Sequence, residues 1–163
     1  MAATVVGHAI DRGGIRVNNQ RIIDFLNEAR TFELGATLQY MGHHYMAQGI
    51  DAMPFIDEIK DIAIVEMRHA EALAERINYL GGVPTKNTTE IMQGGDLMKM
   101  IRDDLGLEEG AIERYRRGIK ICEEEGDSTT RLMLEEILAQ EEDHANTFQT
   151  MLGEQKMMGE AAA

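Results

Sequence analysis

Apolar residues recur three and four positions apart along most of the chain, which is the spacing of one face of an α-helix. Glycine- and proline-containing breaks divide this pattern into four long stretches. The pattern therefore predicts an all-α fold with no strand. The helices are expected over residues of about 18–48, 53–80, 96–125 and 128–152.

The connections between the predicted helices differ in length. Gly49 and Gly126 mark short turns, whereas the polar segment 81–95 has roughly 15 residues, far more than a turn between antiparallel helices needs. Such a segment extends to about 50 Å, enough to run back along a helix of about 40 Å. We therefore expect a four-helix bundle with a long crossover between the second and third helices. In domain terms, the chain divides into an irregular arm (1–17), the bundle (18–153) and a short tail (154–163).

Each predicted helix carries one glutamate in the middle of its apolar stripe, where the periodicity calls for a hydrophobic side chain. These residues are Glu33, Glu66, Glu108 and Glu141. The residues two helical turns before and after each glutamate are apolar or aromatic, so each glutamate occupies a core position. Four buried carboxylates repel one another strongly unless cations neutralise them. The pattern therefore indicates a metal site.

Two of these glutamates begin a Glu-x-x-His motif, which adds His69 and His144 to the candidate ligands. Positions i and i+3 lie on one face of a helix, so each pair can bind one ion. Glu33 and Glu108 each lie 33 positions before the glutamate of a motif, so the chain reads as two similar halves. One glutamate from each of two helices plus Glu-x-x-His from the other two is the known ligand pattern of di-iron bundles.

This ligand set has a definite chemistry. Glu66 and Glu141 are the expected bridges, with Glu33 and His69 completing one metal position and Glu108 and His144 the other. Carboxylate and imidazole donors without thiolates favour iron first and manganese second, with zinc as an inhibitor or substitute. The alternative is that both motifs arise by chance as salt-bridge spacing, but their matched offsets argue against it.

Composition narrows the function further. The net charge of −13 argues against nucleic-acid binding, which needs a basic face, and suits a protein that attracts cations. The single cysteine, Cys122, excludes a disulfide within the chain and is expected in the core. No long apolar run suggests a signal peptide or a membrane span, so a cytoplasmic location is expected.

Four further residues have candidate roles. Tyr40 and Tyr115 lie on the core stripes two turns from the ligands and could hydrogen-bond a carboxylate, carry an electron or simply pack. Asp104, one turn before Glu108, could orient a ligand imidazole or lie at the surface. Met67 lies on an outward apolar face, which implies a partner surface, and could be a haem axial ligand or a packing residue.

Taken together, these motifs resemble bacterioferritin over most of the chain. The matching segments are Glu33-Leu34-x-Ala36-x-x-Gln39-Tyr40, Glu66-Met67-Arg68-His69-Ala70-Glu71, Asp104-Leu105-x-Leu107-Glu108 and Ile137-Leu138-x-x-Glu141-Glu142-x-His144. The resemblance implies a ferritin-like bundle whose six ligands form a ferroxidase centre. It also implies oxidation of iron(II) by O2 or H2O2, storage of ferric mineral in a 24-subunit cage built from twofold dimers, and haem b or a related tetrapyrrole bound by Met67 between two subunits.

Some positions depart from the family pattern. Val65 and Gln140 precede the Glu-x-x-His motifs where the family often has an acid, and Asp61 replaces a histidine of the inner surface in some members. The tail has little apolar material, so an assembly smaller than 24 subunits stays an alternative. Two other functions also stay open: a rubrerythrin-like di-iron peroxidase or oxidase without storage, and a Dps-like protecting protein, against which the internal ligands and the lack of a basic tail argue.

Overall fold

The computed structural model describes residues 19–153, and this part of the chain forms four long α-helices without any strand. The helices are α1 (Asn19–Met46), α2 (Met53–Tyr79), α3 (Leu97–Glu125) and α4 (Ser128–Met151), with a 3-10 turn at Ile50–Ala52 before α2. The predicted all-α architecture is therefore confirmed. The predicted arm at 1–17 and the tail at 154–163 lie outside the described residues.

Local sequence explains where the helices begin and end. Asp96 precedes α3, and its carboxylate accepts a hydrogen bond of 2.8 Å from a backbone N–H of the first turn. Gly126 ends α3 with a φ of 75°, a left-handed conformation that glycine adopts without steric cost. Asp127 then caps α4 in the same way, with a hydrogen bond of 3.0 Å. The short α3–α4 turn thus makes these two helices antiparallel neighbours.

The connection between α2 and α3 runs in an extended conformation along α1. Near its start, the backbone N–H of Thr85 donates to Asn27 Oδ1 at 2.7 Å. Near its end, the backbone N–H of Met92 donates to Gln39 Oε1 at 2.9 Å. Because these contacts advance along α1, the connection traverses the bundle, and α3 begins at the same end as α2. The predicted long crossover is confirmed, with α2 parallel to α3 and antiparallel to α1 and α4.

The core consists of two apolar clusters separated by a polar layer. One cluster includes Ile59 and Phe148 and fills the end of the bundle at which α2 begins. The other includes Leu26 and Leu134 and fills the opposite end. The side chains two turns from each of the four core glutamates are buried, as predicted. The polar layer between the clusters is where the candidate ligands meet.

The outward helix faces carry mostly charged residues. Some form exposed ion pairs, such as Arg21 with Glu124 at 2.7 Å, which contribute little to stability because water screens them. Within residues 19–153, no helix combines the length and the apolar character that crossing a bilayer requires.

Candidate metal centre

The structure brings the six predicted ligands together in the polar layer, with contributions from all four helices. The four glutamates are at most 2% exposed, whereas His69 is 4% and His144 is 9% exposed. They are Glu33 on α1, Glu66 and His69 on α2, Glu108 on α3, and Glu141 and His144 on α4.

The candidate ligand atoms form two overlapping groups, in each of which all the atoms lie within 4.8 Å of one another. The first group is Glu33, Glu66, His69 and Glu141, and the second is Glu66, Glu108, Glu141 and His144. Glu66 and Glu141 belong to both groups, so their carboxylates are placed to bridge two cations. The site is thus built for a pair of ions rather than for one.

Several of these atoms lie close together and yet lack a hydrogen bond of proper geometry. His144 Nδ1 lies 2.8 Å from Glu66 Oε1, and His69 Nδ1 lies 3.0 Å from Glu141 Oε1. Even so, His144 Nδ1 and one oxygen each of Glu66 and Glu141 are fully buried without a hydrogen bond in proper geometry. Buried polar atoms without partners are rare and costly. Oxygen and imidazole donors suit iron(II) or manganese(II), so the residues fit a di-metal centre.

Hydrogen bonds from the two core tyrosines orient the outer carboxylates. Tyr115 donates to Glu33 Oε1, and Tyr40 donates to Glu108 Oε1 at 2.6 Å. Each tyrosine therefore leaves part of a carboxylate free for a metal while fixing its orientation. Of the three roles that the sequence left open for Tyr40 and Tyr115, the structure provides contacts for one, the hydrogen bond to a carboxylate.

The histidine of the first metal position is also held from outside. His69 Nε2 lies 2.9 Å from Gln140 Oε1, which can only accept, so this nitrogen carries the proton. That arrangement leaves Nδ1 facing Glu66 and Glu141 as the nitrogen for a metal. Sequence reasoning treated Gln140 only as a departure from an acidic position and missed this contact.

Asp104 differs from its predicted role. Its carboxylate contacts His43 Nδ1 at 2.9 Å and accepts a hydrogen bond from Gln39 at 2.9 Å, so it orients an imidazole that is not a candidate ligand. The reason is geometric: Asp104 lies on α3 and faces α1, whereas the ligand histidines lie on α2 and α4. Its link to the site is indirect, through its main-chain carbonyl, which Tyr40 also contacts at 3.4 Å. His43 and Asp104 are both 0% exposed, so the alternative surface role is wrong.

Burial and mutual repulsion shift the carboxylate pKa values in the metal-free site. Burial raises the pKa of Glu66 and of Glu108 well above the usual range, and the charges of Glu108 and Glu141, respectively, add to this shift. Burial and the charges of Glu33 and Glu66 raise the pKa of Glu141 to about 7. Glu33 is the exception: burial opposes its ionisation, but hydrogen bonds led by that from His69 keep its pKa below the usual value. The site therefore holds protons where metal ions would otherwise provide positive charge.

The two histidines are shifted in opposite directions. Burial works against protonation of His69, but hydrogen bonds with Glu141, Glu33 and Glu66 raise its pKa strongly. Burial lowers the pKa of His144, despite the opposing effect of Glu108. Metal binding at His69 must therefore displace a proton.

The four glutamates line a small cavity with a volume of about 10 Å³, roughly one water molecule in size. Phe32 and Arg114 also line it. Arg114 is 8% exposed, and its guanidinium carbon lies 3.5 Å from the centroid of the Phe32 ring. Sequence reasoning did not single out either residue, because Arg114 lies at the margin of the core stripe, one turn after Ala111, where an arginine is usually exposed.

Met67 lies away from this centre. Its side chain is 51% exposed on the outer face of α2, and Leu38 and Tyr45 are 51% and 74% exposed on the outer face of α1. The predicted outward apolar surface therefore exists on the single chain. The haem role of Met67 stays a prediction.

Comparison with known proteins agrees with the geometry. A family model described as a ferritin-like domain matches residues 23–158. The bacterioferritin of Desulfovibrio desulfuricans is 36% identical over 86% of this chain and 79% of its own length. That of Mycobacterium leprae is 34% identical over 85% of this chain and 88% of its own. The chain belongs to the bacterioferritin family.

Solved structures lead to the same family. A structure of the Desulfovibrio desulfuricans bacterioferritin, described as showing its di-iron site in different catalytic states, superposes with a TM-score of 0.81 at 35% identity. The match covers 91% of this chain and 88% of that one. A ferritin-like di-iron carboxylate protein of Bacillus anthracis has a TM-score of 0.79 at 25% identity, covering 82% and 96%. The predicted ferritin-like bundle, its resemblance to bacterioferritin and the function of an iron-storage ferroxidase are confirmed at the level of the family.

Proposed function

We propose that this chain oxidises iron(II) at a centre formed by the six residues Glu33, Glu66, His69, Glu108, Glu141 and His144, with O2 or H2O2 as the oxidant. We further propose that it stores the ferric product in a cage of 24 subunits in the cytoplasm. The observation that carries the proposal is the pair of overlapping ligand groups that share Glu66 and Glu141. The unpartnered buried atoms of those two glutamates and of His144 support it, because cations would satisfy them.

The chain's own residues have defined tasks in this proposal. Two iron ions side by side supply the two electrons that an oxidant accepts. Glu66 and Glu141 would hold both ions, since they belong to both ligand groups, and the tyrosine hydroxyls restrict rotation of Glu33 and Glu108. His69 would release a proton from Nδ1 when iron binds, and the carboxyl groups whose pKa is raised would release theirs. The surrounding apolar clusters exclude bulk water.

The site assignment is tested by Glu66→Ala, with Glu142→Ala as a matched control. Glu142 lies beside a ligand on α4, but its side chain is 49% exposed and pairs with Arg116. We expect Glu66→Ala to slow iron(II) oxidation by at least about 100-fold at unchanged helical content, because it removes a bridging ligand. The control should oxidise iron like the wild type. Wild-type oxidation kinetics in Glu66→Ala would refute the assignment.

Storage is tested separately from oxidation. A store retains many iron atoms in each chain, whereas an oxidase without storage holds only about two. We expect aerobic iron loading followed by gel filtration to leave far more than two iron atoms per chain in the protein fraction. Native mass of the same fraction decides between a 24-subunit cage and a smaller assembly such as a dimer.

We also propose haem b or a related tetrapyrrole bound by Met67 between two subunits. The half-exposed thioether beside an outward apolar surface supports this, because a twofold partner would cover both. Met67→Leu should abolish the Soret absorbance while iron oxidation stays unchanged. Met53→Leu is the control, because Met53 is a 53% exposed methionine on the same helix. Haem retained by Met67→Leu would exclude this methionine as the ligand.

A further inference from the structure

Arg114 is a buried cation without an anionic partner. Its side chain is 8% exposed and lines the small cavity among the candidate ligands. Within residues 19–153, no carboxylate forms an ion pair or hydrogen bond with it, and its contact is the stack on Phe32 at 3.5 Å. Buried charges are costly unless they are paired, so packing alone does not explain this arginine. Glu33 provides a reason for it, because this carboxylate keeps a low pKa in the metal-free site and, together with Glu28 and Glu141, favours the charged guanidinium.

The same two side chains form a partition between the metal centre and the protein surface. Outside them lies a hollow of about 310 Å³, lined by Glu28, Phe32, Gly110, Glu113, Arg114 and Arg117. Phe32 and Arg114 alone line both this hollow and the inner cavity. Gly110 adds no side chain to this hollow, and even a Cβ atom there would only touch Arg114 Nη2, at 3.8 Å. The guanidinium therefore has room to move outward.

We propose that Arg114, stacked on Phe32, controls the passage of divalent cations from the outer hollow to the four glutamates. This inference rests on the proposed function, since it assumes that the glutamates bind metal. In the metal-free protein the guanidinium balances part of the carboxylate charge and closes the outer side of the cavity. A divalent cation in the cavity takes over that balance and repels the guanidinium toward the hollow, because like charges interact strongly where water is scarce. Arg114 thus weakens metal binding and slows it.

Three variants separate the effect of the guanidinium charge on metal binding from the effect of closing the cavity. Arg114→Gln removes both, whereas Phe32→Leu keeps the charge and removes the ring on which the guanidinium stacks. Arg117→Gln is the matched control: it removes a cation from the same outer hollow, but Arg117 is half exposed and pairs with Glu28. The probe is cobalt(II), which reports binding by its visible absorption without being oxidised in the assay. The full chain is stripped of metal and studied in its native assembly.

We expect Arg114→Gln to bind cobalt(II) at least about tenfold more tightly than the wild type and to associate faster, because a nearby positive charge is gone. Phe32→Leu should change affinity less than about threefold but also associate faster. Arg117→Gln should stay within about threefold in both quantities, because exposed charges are screened. If Arg114→Gln fails to fold, Arg114→Lys replaces it, since a lysine keeps the charge but not the flat stack and should accelerate association.

Two outcomes would overturn the inference. Wild-type affinity and association rate in Arg114→Gln would show that the guanidinium does not act on the metal, and an equal effect of Arg117→Gln would show that general surface charge is responsible. A wild-type protein that fails to bind two cobalt(II) ions per chain would instead contradict the proposed function. The two failures are therefore distinguishable in one set of titrations.

Discussion

The metal-free site should make the protein less stable as pH rises, and Glu141→Gln should remove part of that loss. Burial and the charges of Glu33 and Glu66 raise the pKa of Glu141 from 4.5 to about 7. Because the folded pKa exceeds the unfolded one, the folded state binds this proton more tightly. Glu141 therefore costs no stability well below pH 4.5, and the cost grows until pH passes about 7. A neutral glutamine of the same shape has no charge to bury.

The magnitude follows from the size of the pKa shift. A shift from 4.5 to about 7 corresponds to about 3 kcal/mol when the group is fully ionised, at about 1.4 kcal/mol per unit. Most of that cost, about 2 to 3 kcal/mol, develops between pH 5 and pH 8. Relative to the wild type, Glu141→Gln should therefore gain about that much stability over this interval. The other ligands contribute to the slope of both proteins and cancel in the difference, except for their coupling to Glu141.

The assay is denaturant unfolding in the presence of a chelator at pH 5 and pH 8, at one protein concentration because assembly affects stability. A second arm adds cobalt(II) at pH 8. The metal should stabilise the wild type, by about 2.7 kcal/mol at a hundredfold excess over Kd, and should stabilise Glu141→Gln much less. A difference between the two proteins that is the same at both pH values would refute the reasoning, since the buried charge would then not be the cause.

Two further predictions concern the scaffold. Gly118→Ala should destabilise the protein by about 1 to 3 kcal/mol, because a Cβ atom there would lie 2.2 Å from Phe25 Cζ. Gly106→Ala on the same helix is the control: a Cβ atom there has open space and should stabilise the protein by up to about 1 kcal/mol. Equal effects of the two substitutions in denaturant unfolding would contradict the described packing around Gly118. Asp127→Asn should destabilise the protein at neutral pH but not at strongly acidic pH. Burial opposes ionisation of Asp127, but hydrogen bonds led by those from Thr130 lower its pKa. The ionised carboxylate therefore stabilises the fold above pH 3.8, and this contribution is lost as pH falls. Unfolding at pH 7 and pH 2.5 checks this, and an equal loss at both would refute it.

The helices and the positions of the four glutamates could be predicted from the sequence because they depend on local periodicity. A charged residue at a heptad position between apolar neighbours shows itself without any knowledge of the fold. The crossover was predictable for the same reason, since its length and polarity are local properties. What the sequence could not supply were partners far apart along the chain. Gly35 is an example: it is small because the crossover passes so close that a Cβ atom there would overlap Thr89 Oγ1.

The outer contacts of the site show the same limit. The sequence left two roles open for Asp104, one turn before Glu108: orienting a ligand imidazole or lying at the surface. The direction of its side chain depends on how α3 faces α1, which periodicity does not specify. Gln140 drew attention only as an unusual residue, although its contact with His69 crosses from α4 to α2. Arg114 lies one turn after Ala111 on the core stripe, but its residue type does not distinguish it from an exposed arginine. Spacing thus identifies which residues enter the core, whereas packing decides which of them touch.

The two similar halves of the sequence give the site equivalent hydrogen bonds in each half, but the two ligand histidines have different electrostatic surroundings. The two halves exchange equivalent hydrogen bonds: Tyr115 donates to Glu33, and Tyr40 donates to Glu108. The histidines do not share this equivalence. His69 lies within 3.6 Å of three carboxylates, which raise its pKa, and its Nε2 contacts Gln140. Burial lowers the pKa of His144, and within residues 19–153 no side chain hydrogen-bonds His144 Nε2. An ion at the first position must displace a proton, and an ion at the second need not. The two proposed metal positions therefore differ in their proton balance, even though the same residue types surround them.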